Sequence, residues 1–224
     1  MRVDYPENDV WKLKDNDPDS LRYEKHYSFD FSFIDSKDIK NVIQSYFWMN
    51  YRAGSLRLST LRHRLCSMKC FNEFAGIRNI TKLSDLTADD ISMYTSYLKT
   101  KLYKTTSRPL TRSTQYTMFN RLRTIIYWCQ TYMPDEVPAK EIFAGNEYTG
   151  IYQKLIIDFI PNEILTKINV ALQKEENPYL KYGMIILQST GMRRGDLLKL
   201  KTDCVKPHLI SGHTITWFDH KNRR

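Results

Sequence analysis

Between Ser36 and Gln130, apolar side chains recur at the three-to-four-residue spacing of an α-helix, and this periodicity limits the stretch to a bundle of helices. Ser36 can cap a helix running to about Tyr51, and Ser59 can cap a second whose stripe is Leu61, Leu65, Met68 and Ala75. Thr87-Ala-Asp-Asp90 has the form of a capping box ahead of Ile91, Met93, Tyr94 and Leu98. A loop from Lys99 to Pro109 is dense in Lys, Thr, Ser and Arg. It precedes a long helix, about Arg112 to Gln130, that buries Met118, Leu122, Ile125, Ile126 and Cys129 and turns Arg112, Tyr116, Asn120 and Arg123 outward.

Charge is distributed unevenly over these stretches. Residues 1–36 carry 5 Lys/Arg and 9 Asp/Glu, residues 37–132 carry 16 and 5, and residues 133–224 carry 13 and 11. The helical stretch therefore carries +11 against a net +9 for the whole chain, which favours a polyanionic partner through counterion release and long-range attraction. Double-stranded nucleic acid fits better than an anionic membrane, because the cations are spread over several helices rather than gathered on one amphipathic helix. The candidate contact residues are Lys99, Lys101, Lys104 and Arg108 on the loop, with Arg112, Tyr116, Asn120 and Arg123 on the long helix. With a mean hydropathy of −0.52 and no long apolar block, neither a membrane span nor a signal peptide is expected. A cytoplasmic protein follows, one associated with the nucleoid if the source is prokaryotic. Four scattered cysteines, Cys66, Cys70, Cys129 and Cys204, read as reduced thiols rather than as a zinc site.

Four segments are expected in all. Residues 1–36 form an acidic N-terminal arm in which Tyr27, Phe29, Phe31 and Phe33 alternate as in a strand, packing on its own domain or, less simply, on another subunit. Residues 37–132 form the helical domain, and residues 133–160, with Pro134, Pro138, Gly145 and Gly150, form a linker. Residues 161–224 hold a helix from Pro161 to about Gln173, another from Asn177-Pro178 ending at Gly191, and a short helix from Arg193 to Lys201. A hairpin follows, with arms at Leu209-Ile210 and Thr214–Phe218, a turn at Ser211-Gly212, and Lys221 just beyond. The spacing of Tyr179 and Tyr182 with Leu180 and Ile186 makes the two tyrosines core or boundary residues.

Thr190 to Leu200 reads Thr-Gly-Met-Arg-Arg-Gly-Asp-Leu-Leu-Lys-Leu. Arg193 falls at a helix start, where backbone amides attract anions, and Asp196 one turn later can hold its guanidinium against a phosphate. Alone, Arg-Arg-Gly-Asp is more simply a surface arginine pair at a helix end. With the basic helical domain before it and a hairpin lysine after it, the stretch resembles the start of the catalytic domain in the tyrosine recombinase, or phage integrase, family. The likeness covers residues 37–224 in organisation and about 190–201 in motif.

The resemblance implies a mainly α fold. A four-helix, SAM-like core-binding domain would be followed by a partial α+β catalytic domain with a small β-hairpin. It also implies DNA integration or recombination through a 3′-phosphotyrosyl intermediate, without metal or other cofactor and without a small-molecule substrate, on dimers and tetramers assembled on DNA. Arg193 matches the family's first catalytic arginine, with Arg194 as a rival. Asp196 matches the supporting acidic residue, usually Glu, and Lys221 the hairpin lysine. The family's His-x-x-Arg helix and nucleophilic tyrosine follow that lysine, whereas the last of the fifteen tyrosines here is Tyr182. The 224 residues are therefore expected to bind DNA and not to cleave it alone. The alternative is a catalytically inactive helical DNA-binding or regulatory protein that competes for recombination sites. No Gly-rich phosphate loop, His-Glu-x-x-His or Ser/His/Asp arrangement points to another chemistry.

Overall fold

Side-chain caps set where most of the helices begin. The computed structural model describes residues 5–15, 26–103, 105–148, 159–208, 210 and 212–218, and the chain divides into two units, Met1–Lys154 and Leu155–Arg224. The described residues are mainly helical, with two small antiparallel sheets. None of their helices is long and apolar enough to cross a membrane.

In the first unit, Ser36 accepts the Ile39 amide and opens α1, Lys37–Arg52. The helix turns Ile39, Val42, Ile43, Tyr46 and Phe47 into the core. Helix α2, Leu58–Arg78, begins at Arg57 rather than at the expected Ser59 cap. Ser59 already lies in the first turn, because the apolar stripe starts at Leu58, and Asn79 ends the helix in the left-handed conformation. Helix α3, Ala88–Thr100, is opened by the complete capping box. Helix α4, Arg112–Tyr132, is capped by Thr111. Its buried stripe is Gln115, Phe119, Leu122, Ile125, Ile126 and Cys129. Met118, expected in that stripe, is only half-buried, and Phe119 takes the central place.

The acidic arm folds onto this bundle. Strand β1, Val10–Lys14, pairs antiparallel with β2, His26–Asp30, so that Trp11 faces Phe29 across the ladder. Alternation sends Trp11, Leu13 and Phe29 to one face, where all are buried. Phe29 and Phe31 meet Phe47 edge-on at 5.9 and 5.4 Å, and Trp11 meets Trp48 at 5.8 Å. The period-two aromatics thus pack on their own unit.

The expected linker does not begin at residue 133. A 3₁₀ turn at Pro134–Glu136 redirects the chain, and Val137, Ile142, Phe143 and Tyr148 are buried in the core of the first unit. The Gln130 side chain donates to the Pro138 carbonyl at 2.8 Å, and Tyr127 Oη donates to Glu141 at 3.1 Å. Turn-forming residues therefore describe the local bends of this stretch correctly and miss the apolar side chains between them.

The capping box yields a stability prediction. Thr87 Oγ1 accepts the Asp90 amide at 3.2 Å, Asp90 Oδ2 accepts the Thr87 amide at 3.1 Å, and Arg78 approaches Asp90 at 3.3 Å. Burial alone would raise the Asp90 pKa, but the Thr87 and Arg78 hydrogen bonds outweigh it and hold the carboxyl below its usual range. Because the folded pKa is depressed, the stabilisation is present above the unfolded carboxylate value of about 3.9 and is lost as pH falls through the folded value. Thr87→Ala is expected to cost about 1 kcal/mol near neutral pH. In urea titrations the difference from the parent should shrink in acid; a pH-independent difference would remove Asp90 from the explanation.

In the second unit, α5 spans Asn162–Lys174 and α6 spans Pro178–Thr190. Asn177 caps α6, and Gly191 at φ 64° ends it. A single turn, α7, covers Arg194–Leu197. The hairpin pairs β3, Val205–Pro207, with β4, His213–Ile215, four residues earlier on its first arm than expected. Pro207 is tolerated there because an edge strand leaves one row of amides unpaired. Ile210, expected in the first arm, lies in the loop and is exposed, while Leu209 and Ser211 fall outside the described residues. Tyr179 and Tyr182 are exposed, at 90% and 60%, not core residues, because among the described residues nothing covers that face of α6.

Candidate nucleic-acid interface and phosphate site

The main chain fixes Arg193 and Asp196 relative to each other. Arg193 is the extended residue ahead of α7, and its carbonyl accepts the Asp196 and Leu197 amides at 2.9 and 3.0 Å. The turn brings Arg193 Nη1 to 3.9 Å from Asp196 Oδ2, a charge contact rather than a hydrogen bond at that length. Asp196 is almost wholly buried, whereas about half of the Arg193 side chain, 49%, remains exposed. A buried carboxylate thus stands beside an arginine side chain that remains about half exposed. The helix is too short to add much dipole, since α7 has only four residues, so the expected attraction of a helix start contributes little. Lys221, the expected hairpin lysine, and Lys104 lie outside the described residues.

The expected contact residues of the first unit separate into distinct groups. Lys99, Arg108 and Arg112 are exposed, as is Tyr116 at 39%. Lys101 is not available in the same way. It is paired with Glu73 of α2 and bonded to Tyr97 Oη, and the Glu73 bond, followed by the Tyr97 bond, holds its ammonium well above the usual lysine range. The cause is tertiary: the C-terminal end of α3 packs on α2, so a lysine that reads as part of a basic loop meets a carboxylate far away in sequence. Arg123 donates to Asn120 Oδ1 at 2.7 Å and lies 5.9 Å over the Phe119 ring. Tyr116 meets Tyr148 at 5.9 Å, so this face of α4 borders the stretch of residues 141–148.

A second basic surface lies along α2. Arg62, His63 and Lys69 are exposed there, Arg64 is half-buried, and Arg121 of α4 reaches across to α2. Helix periodicity does not single these residues out. The sequence signal for them is the absence of any Asp or Glu from Arg52 through Asn72.

Comparison with protein-family models, curated proteins and solved structures finds no match to the chain.

Proposed function

We propose that the chain is the DNA-binding portion of a tyrosine site-specific recombinase together with the start of its catalytic domain. In this assignment the first unit is a core-binding domain that grips duplex DNA by its phosphates. The second carries Arg193 as the arginine that neutralises charge on the scissile phosphate, with Asp196 as the carboxylate that positions it. The observation that carries it is the Arg193–Asp196 pair, in which a buried carboxylate stands 3.9 Å from a half-exposed guanidinium within Thr-Gly-Met-Arg-Arg-Gly-Asp. Phosphoryl transfer draws mainly on positioning and electrostatic stabilisation, which such a pair supplies. The excess of cations over residues 37–132 supports the phosphate grip and identifies no base contact.

Incubation with a nicked suicide duplex tests this assignment. The 224-residue chain is expected to shift the duplex with strong salt dependence and to form no denaturation-resistant adduct, because every one of its tyrosines precedes Arg193. Arg193→Ala should leave duplex affinity within about tenfold, since one phosphate contact among many is lost. Failure to bind at low salt would overturn the DNA assignment. An adduct would overturn the absence of a nucleophile, and a fall in melting temperature on Arg193→Ala would make that residue structural.

A further inference from the structure

We propose that Arg64 of α2 and Arg121 of α4 together clasp one phosphate group. In the complex this is a backbone phosphate of duplex DNA, an assignment of source that rests on the function proposed above. Both guanidiniums are oriented by the fold. Arg121 Nη1 donates to the His63 carbonyl at 2.9 Å and to Ser67 Oγ at 2.8 Å, which lays the α4 side chain along α2 beside Arg64. Arg64 lies 5.7 Å over the ring of Tyr46, whose edge-on contact with Trp128 at 4.9 Å fixes that ring in turn.

Both side chains are half-buried, and among the described residues neither meets a carboxylate. Burial, and after it the Arg121 charge, lowers the Arg64 pKa; burial lowers that of Arg121. Arginine stays protonated in proteins, so the fold keeps two like charges partly withdrawn from water on adjoining stretches of α2 and α4. The Tyr46 hydroxyl at the same place is buried and, among the described residues, has no hydrogen-bond partner.

An anion that bridges the two forks relieves this arrangement. A tetrahedral phosphate offers acceptor oxygens in more than one plane and can therefore bridge two guanidiniums carried on different helices. Arg62 and Lys69 of the same helix, on a stretch without acidic residues, add to the longer-range positive potential that draws such a group in. A free phosphate and a DNA phosphodiester present the same chemistry, so the test has an arm for each.

Arg64→Gln and the charge-conserving Arg121→Lys are compared with the parent chain by thermal melting, without and with millimolar inorganic phosphate, and by duplex binding over a salt titration. Without phosphate, Arg64→Gln is expected to melt no lower than the parent, because removing one of two like charges relieves their repulsion. Inorganic phosphate should raise the melting temperature of the parent and not that of Arg64→Gln. Duplex affinity of Arg64→Gln should fall about tenfold, with the log–log salt slope reduced by about one. Arg121→Lys should keep the slope while losing affinity. If the parent binds duplex and Arg64→Gln binds equally with the same slope, the clasp is overturned and the DNA function stands. If the parent fails to bind duplex, the DNA function falls. A phosphate-dependent melting shift lost in Arg64→Gln then keeps the clasp as a free-phosphate site, and no shift overturns it. A lower melting temperature of Arg64→Gln without phosphate assigns Arg64 to packing and also overturns the clasp.

Discussion

Phe119→Ala is expected to destabilise the first unit by about 3–5 kcal/mol, a large part of what holds a domain of this size together. Phe119 is almost wholly buried on α4 and faces Phe143 at 5.7 Å and Tyr148 at 5.3 Å. Truncation therefore removes transfer energy, leaves a cavity, and deletes the anchor of the residues that follow α4. Chemical denaturation should show a lower midpoint with an unchanged slope, and limited proteolysis should cut first between residues 137 and 148. A loss below about 1 kcal/mol, the ordinary cost of a substitution, would mean that the stretch is not seated on Phe119.

Reversal of charge on α2, Arg62→Glu with Lys69→Glu, is expected to weaken duplex binding by roughly a hundredfold near 0.1 M salt, because each phosphate contact contributes close to one power of the salt concentration. Both side chains are exposed, so the fold should survive. Arg112→Glu with Arg123→Glu on α4 should have a smaller effect, since Arg123 is already bonded to Asn120 and seated over Phe119. Gel-shift titrations of both variants decide between the faces. A larger loss from the α4 pair would place the principal contact there and not on α2.

The elements most legible in the sequence are those whose causes lie within a turn or two of chain. Ser36 and the Thr87–Asp90 box mark helix starts because a cap depends on amides two or three residues away. Gly191 marks a helix end for the same local reason, since its φ of 64° disfavours a side chain. Arg193 and Asp196 meet because one turn separates them. Local signals mislead where two are similar: Ser59 resembles a cap, yet the buried stripe already starts at Leu58, and Leu209-Ile210 resembles a strand although Val205–Pro207 takes the ladder.

The sequence by itself determined the helical character of residues 37–132, the concentration of positive charge there, and the juxtaposition of Arg193 with Asp196. Each depends on composition or on neighbours within about one helical turn. Only the tertiary structure decided that Trp11 pairs across from Phe29, that residues 137–148 join the first unit, that Lys101 serves Glu73, and that Arg121 comes to lie beside Arg64. These contacts join residues far apart along the chain. Their formation depends on closing long loops around a packed core, and no periodicity or motif records which distant partner a side chain will meet.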